Sequence, residues 1–267
     1  MKENLKILIK EKSDHGVLRL IMNNLDQGNA LSESMMSILM DEIKDASSDQ
    51  SIKVIVLAAN GNVFCSGHDL KEITAARENE DSGEVYFKNL FDSCSSLMQL
   101  IVNTPQPVIA EVDGVATAAG CQLVASCDLA IASHESKFAT PGVNIGLFCS
   151  TPMVALSRNV NKKNAMEMLL TGDFINAEKA KEIGLINNMV QKEELTFEVS
   201  KLAEKIASKS SMTVSIGKKA FYAQAEMDLS KAYKYTSKIM KDNILKYDAK
   251  EGINAFIEKR SPDWKDE

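Results

Sequence analysis

The cysteines of this sequence lack any framework spacing, and their number, five, is odd. Cys65, Cys94, Cys121, Cys127 and Cys149 sit mostly in apolar surroundings. That pattern argues against a disulfide-stapled scaffold and predicts reduced thiols in a cytoplasmic compartment. Cys65-x-x-His68 has no second ligand pair, so no metal site is predicted. The excess of basic charge that a nucleic-acid surface needs is also missing, the formal net charge being -6. The amino-terminal MKENLKILIKEK contains neither a long apolar segment nor a small-residue cleavage site, so neither a signal peptide nor a membrane helix is expected. No internal repeat or low-complexity linker divides the chain.

What remains is ordinary globular material, 267 residues with 45% hydrophobic and 25% charged side chains, enough for a large buried core. Leu5 to Lys12 and Gly16 to Asn23 read as a hairpin turning at Asp14-His15-Gly16. After a loop from Asn24 to Asn29, Ser32 reads as an N-cap. Met35, Met36, Leu39, Met40 and Ile43 follow at helical spacing, as core. Val54 to Ala59 is a compact apolar run, a buried strand. Arg77 to Glu84 is polar and predicts a mobile surface segment. The following helix, Glu84 to Asn103, should turn Phe87, Leu90, Phe91, Cys94 and Leu97 inward. Thr104-Pro105-Gln106-Pro107 ends it. Further on come helical patterns from Thr151 to Leu170 broken near Asn161, a helix from Phe174 to Ile183, and a strand from Leu185 to Val190. Beyond Glu193 the pattern is helical to Ser261-Pro262.

The centre of the chain is PVIAEVDGVATAAGCQLVASCDLAIA, starting at Pro107. A strand-length apolar run turns at Asp113-Gly114, passes through small residues from Ala116 to Gly120, and enters a helix. Such a turn leaves backbone N–H groups free at the helix start, where small side chains let a ligand approach. Ser66-Gly67-His68 offers a second N–H beside a glycine. Either segment alone is more simply a turn. Two of them on successive strand–helix connections could lie on one side of a sheet and build an anion site without a charged side chain.

These segments, with FATPGVNIGL, MLLTGDFINAEKAKEIGLINNMV and the carboxy-terminal FIEKR, resemble the enoyl-CoA hydratase/isomerase (crotonase) family, in family order over nearly the whole chain. The resemblance implies an α/β fold with a repeated ββα spiral core over residues 1–192. It implies a C-terminal helical region over 193–267 that packs in a trimer or a dimer of trimers (a hexamer), the two forming one continuous domain. It implies a coenzyme A thioester as substrate or ligand, with no covalently held cofactor. Membership would place the protein among the lyases of fatty-acid metabolism. The oxyanion-hole donors fall on the N–H groups of His68 and Ala119. Coenzyme A contacts fall on Gln27, Gly28, Asn29, Ala30 and Leu31, and on His68, Asp69, Leu70 and Lys71. Phe256 and Lys259 fall where a neighbouring subunit meets the nucleotide end. Lys71 and Lys259 are then phosphate partners; without the resemblance both read as solvated surface lysines.

The sequence departs from the family at the carboxylates. Hydratases of the family place one glutamate where this chain has Gln122 and another where it has Gly142. An amide orients water but does not take its proton at neutral pH, and glycine offers only backbone. Hydration by two glutamates is therefore not expected. Ser150 lies where some members place an acid, though with Cys149 and Thr151 it reads more simply as a helix cap. The His68 side chain is a candidate base or a bystander, and Asp69 reads as a turn-stabilising carboxylate. Three functions stay open: an acyl-CoA enzyme of non-standard proton chemistry such as decarboxylation or thioester hydrolysis, a hydratase of low activity, and a non-catalytic acyl-CoA-binding protein. RNA binding is disfavoured, because Ser32 to Asp49 carries Lys44 as its one basic residue.

Overall fold

The computed structural model describes residues 7–267. The expected hairpin forms from β1 (Leu8–Lys12) and β2 (Val17–Met22), paired antiparallel. The Leu5 and Lys6 part of that expected strand lies outside the described residues. Ser32 caps α1 (Glu33–Ser48), its Oγ accepting the Met35 N–H at 3.2 Å. Met35, Met36, Leu39 and Ile43 are buried, as their spacing predicts.

From there the chain winds in repeats. Each repeat lays one strand in a large sheet and a short strand in a second sheet, then adds helix. The first is β3 (Val54–Ala59), β4 (Val63–Cys65), α2 (Leu70–Ala76) and α3 (Glu84–Asn103). The next is β5 (Val108–Val112), β6 (Val115–Thr117) and α4 (Ala119–Ser126). The third is β7 (Leu129–Ser133) and β8 (Lys137–Ala139), then a 3-10 turn over Pro141–Ile145, α5 (Pro152–Asn159) and α6 (Lys162–Thr171). After β9 (Ile175–Asn176), α7 (Ala177–Glu182) and β10 (Asn188–Val190) come α8 (Lys192–Ala207), α9 (Ser211–Ala225), α10 (Leu229–Ile244) and α11 (Tyr247–Glu258).

The large sheet runs β1-β2-β3-β5-β7-β10, parallel except at the β1 edge. The small sheet runs β4-β6-β8-β9, with only β9 antiparallel. This is the ββα spiral. The main core fills the space between the sheets and helices α1, α3 and α4, around Phe64, Phe138, Leu20 and Leu57. A smaller cluster covers the other face of the large sheet, where Leu195, Val199 and Ala203 of α8 meet Val54, Val56 and Ile109. Glu111, 7% exposed inside β5, is held by Arg19 and by the Thr196 hydroxyl at 2.7 Å, which ties α8 to the sheet. The first helix beyond residue 192 thus closes the core.

Three local expectations need correction. Phe91 is 40% exposed, because the inward stripe of α3 continues through Met98 and Ile101 instead. Residues 77–83, the expected surface segment, form successive turns, and the Asp81 carboxylate accepts the N–H groups of Gly83 and Val85 at 3.0 Å. The helix expected from Phe174 begins only at Ala177. Ile175 pairs with Phe138, and Asn176 caps α7 by accepting the Lys179 N–H at 2.8 Å. The strand expected from Leu185 begins at Asn188, since the N–H groups of Leu185 and Ile186 turn back to the Ala180 carbonyl.

Candidate functional site

Three chain segments converge at the ends of β4 and β6. The first two clamp together through backbone bonds: Ser66 N–H donates to Gly28 O at 3.0 Å and Leu31 N–H to Gly67 O at 2.7 Å. Asn29, 1% exposed, fixes this loop by donating to the carbonyls of Asn60 and Val63. The third segment joins through β4–β6 pairing and through Thr117 Oγ1, which donates to Ser66 O at 3.0 Å.

Glycine makes the approach close enough. A Cβ on Gly120 would stand 2.1 Å from the Cys65 carbonyl oxygen, so the start of α4 rests directly on the end of β4. A Cβ on Gly67 would stand 3.0 Å from the Ala118 Cβ and 3.5 Å from the Ala119 nitrogen. Ala118, at φ 51 and ψ -117, carries backbone strain of about 1–3 kcal/mol. The N–H groups of His68 and Ala119 donate to no acceptor among the described residues. Main-chain donors near an anion's position need no side chain to hold a developing negative charge.

The side chains divide into those that build this corner and those that face it. Asp69, 6% exposed, caps α2: one carboxylate oxygen accepts Lys71 N–H at 2.7 Å and Glu72 N–H at 3.4 Å. Its other oxygen is sealed without a partner among the described residues. The His68 ring lies edge-on to Phe91, centroids 5.7 Å apart. His68 Nδ1 sits 3.2 Å from the Leu31 carbonyl, an acceptor only, so Nδ1 carries the proton and Nε2 the lone pair. Nε2 is buried and unpartnered. Burial holds the His68 imidazole below its ordinary range, opposed by the Leu31 bond, and the ring is neutral.

That depressed value sets a sign. The unfolded chain binds a proton at His68 before the folded chain does. Stability from the neutral ring is therefore fully present above about pH 6.5 and is lost as pH falls toward the folded value. Urea unfolding followed from about pH 7.5 to 5.5 should show a steeper loss for wild type than for His68→Asn. Equal slopes would contradict the neutral ring.

Gln122 is 4% exposed on α4, and its Oε1 receives the Cys94 S–H at 3.8 Å. Gly142 has no room for any side chain. A Cβ there would meet the Leu147 carbonyl oxygen at 2.6 Å and Cys149 Sγ at 2.9 Å, because residues 142–147 curl back through a Leu147 N–H bond to Gly142 O. Ser150 is exposed and donates to Phe148 O at 3.3 Å. The helix cap expected of it falls instead on Thr151, which makes no side-chain cap bond.

Of the other residues, Ala30 and Leu31 are buried while Gln27, Leu70 and Lys71 are exposed. Phe256, 85% exposed, and Lys259, in the left-handed conformation, lie at the end of α11 and form no hydrogen bond to these segments. The burial of Cys65, Cys94 and Cys121 pushes each thiol up to about 12, so none is a reactive thiolate. No group of three or more potential ligands among the described residues is placed to hold a metal. A cleft of about 190 Å³ lies elsewhere, between α6 and α7, lined by Asn164, Met168, Phe174 and Lys179. Sequence reasoning missed two features, Cys94 against Gln122 and the closed loop over Gly142. Both are contacts across sequence that no local pattern marks.

The fold and this corner define a class. The chain belongs to the enoyl-CoA hydratase/isomerase family, whose profile matches residues 12–267. Among particular relatives, it is 49% identical over 252 residues to the human enoyl-CoA hydratase domain-containing protein 3, mitochondrial, covering 94% of this chain and 82% of that one. The crystal structure of human enoyl-CoA hydratase domain-containing protein 3 superposes with a TM-score of 0.92 at 47% identity, over 97% of this chain and 100% of the other. An enoyl-CoA hydratase from Mycobacterium smegmatis gives 0.92 at 44% identity, over 97% and 98%.

The comparisons also correct the compartment. The relatives from Xenopus laevis, rat, mouse, human and zebrafish are all named mitochondrial, which overturns the cytoplasmic expectation. The five cysteines are free, and free thiols do not tell one compartment from another. No helix among the described residues is long and apolar enough to cross a membrane.

Proposed function

We propose that this protein is an acyl-CoA thioester enzyme that holds the thioester oxygen, as it becomes an enolate, on the N–H groups of His68 and Ala119. One observation carries this reading: two N–H groups without acceptors among the described residues, on successive strand–helix turns, whose close approach Gly67 and Gly120 permit. Members of the family take acyl-CoA ligands, and the Gln27–Leu31 loop and Lys71 are the segments we assign to coenzyme A.

The usual hydration is not its main reaction on this reading. Gln122 and Gly142 stand where the family's hydratases carry glutamates, and each missing acid or base removes about 10²–10⁴ of rate. Loss of a carboxylate from the acyl group, or thioester hydrolysis, calls on the enolate or oxyanion donors without both glutamates. Ser150 is a further candidate contributor. A second reading, a hydratase of low activity, is supported by similarity to proteins named enoyl-CoA hydratase from Dictyostelium discoideum and Pongo abelii, each 33% identical. A non-catalytic acyl-CoA-binding protein is the remaining reading. For assembly we infer a trimer or dimer of trimers. Phe221, Tyr233, Met240, Leu245, Phe256 and Ile257 on α9–α11 are between 63% and 85% exposed, a surface monomers rarely leave open.

A panel of acyl-CoA thioesters, followed by mass spectrometry and by calorimetric binding, separates the readings. Consumption of an acyl-CoA without hydration of crotonyl-CoA supports the proposal. Crotonyl-CoA hydration at an enzyme-like rate supports the second reading and sinks ours. Saturable binding with no consumption of any thioester leaves only the binding protein.

A further inference from the structure

Gln122 lies three residues beyond Ala119 on α4, about 4.5 Å of helix rise, and helical side chains lean back toward the start of their helix. Its amide therefore reaches over the turn that bears the free Ala119 N–H. From α3, the Cys94 S–H donates to its Oε1 at 3.8 Å. Cys94 is itself fully buried, and burial keeps its thiol protonated and a donor at any physiological pH. A donor S–H facing an amide selects the oxygen, the stronger acceptor. With the oxygen engaged, the Gln122 NH2 is what remains. It has no acceptor among the described residues, yet it is not among the polar atoms sealed from solvent. An amide donor that still reaches solvent is satisfied by water, and a ligand oxygen placed there would take over that hydrogen bond.

We propose that Cys94 is a positioning residue that turns the Gln122 NH2 toward the acyl group, so that the site selects thioesters bearing a second oxygen acceptor near the α-carbon. The substrate class is an acyl-CoA with a β-carbonyl or a carboxylate on the acyl chain. That oxygen accepts from Gln122 while the thioester oxygen accepts from His68 and Ala119. A glutamate at position 122 would repel such an oxygen, whereas the amide donates to it. This rests on the reading of the N–H pair given above.

The test is the ratio of dissociation constants, by calorimetry, for butyryl-CoA, acetoacetyl-CoA and malonyl-CoA. In the wild type, one or both oxygenated thioesters should bind about three- to tenfold tighter than butyryl-CoA, the range of one hydrogen bond. Acetoacetyl-CoA alone would mark the carbonyl, malonyl-CoA alone the carboxylate. Gln122→Met should erase the preference. Cys94→Val should weaken it, and Cys94→Ser, which restores a donor, should recover it; a purely packing role would favour valine over serine. Equal binding of all three thioesters by the wild type overturns the inference and leaves the N–H pair standing. A preference untouched in Cys94→Val overturns the part given to Cys94. If none of the three binds, the failure belongs to the acyl-CoA reading itself.

Discussion

Gly120→Ala is expected to destabilise the fold by about 3 kcal/mol or more, and with it to abolish acyl-CoA binding. The cause is space alone, since Gly120 has no positive φ. An added methyl would lie 2.1 Å from the Cys65 carbonyl oxygen, a backbone atom between β4 and the site loop that no rotamer change can move aside. The strand end and the helix start must separate, and separation draws the Ala119 N–H away from the His68 N–H. The neighbouring turn is also crowded, since a Cβ added at Gly67 would stand 3.0 Å from the Ala118 Cβ. Gly217→Ala is the control. It lies inside α9 with nothing within 4 Å of its would-be Cβ, so alanine there should stabilise by about 0.5–1 kcal/mol. Urea unfolding of both variants checks the pair. A Gly120→Ala protein with the wild-type midpoint would mean that α4 does not rest on β4 as described.

Restoring the two glutamates of the family's hydratases should fail, and asymmetrically. Gln122→Glu conserves shape and should fold, with its carboxylate pushed upward by burial beside Cys94. Gly142→Glu should not be tolerated. Its Cβ would press on the Leu147 carbonyl oxygen and Cys149 Sγ, and we expect a loss of about 2–3 kcal/mol, or roughly 4–12 °C in Tm for a chain of this size. The double variant should therefore show little crotonyl-CoA hydration even though the N–H groups of His68 and Ala119 survive. Thermal unfolding and the hydration assay together decide. Should Gly142→Glu keep the wild-type Tm, and the double variant hydrate at an enzyme-like rate, residues 142–149 open readily and the missing carboxylates alone account for the chemistry.

How much of this was legible from sequence depends on element length. The 20-residue helix α3 runs over the expected Glu84–Asn103, since its apolar stripe is long and a proline-rich stop follows it. β3 matched its apolar run for the same reason, its residues being buried on both faces. The small sheet was not legible. β4, β6 and β8 have three residues each, too short for any alternation, and the small residues of β6 read as the approach to a helix. Phe91 was misread because helical spacing marks a face without saying whether protein or open site covers it. At the site, the N–H donors were legible through glycine and alanine beside strand ends. The Cys94–Gln122 contact, 28 residues apart, was not, nor was the crowding at Gly142, which depends on how one loop folds onto itself.

The close seating of α4 on β4 has a consequence for how such a protein changes over time. No codon specifies a main-chain N–H, so no single substitution at His68 or Ala119, proline aside, deletes the donor that residue contributes. What heredity controls is the spacing, written in two glycines that face only their neighbours' backbone and side-chain atoms. Side chains around the donors are free to be exchanged, as the amide at 122 and the bare backbone at 142 illustrate. Side-chain chemistry can change on this scaffold while the two main-chain donors stay in place.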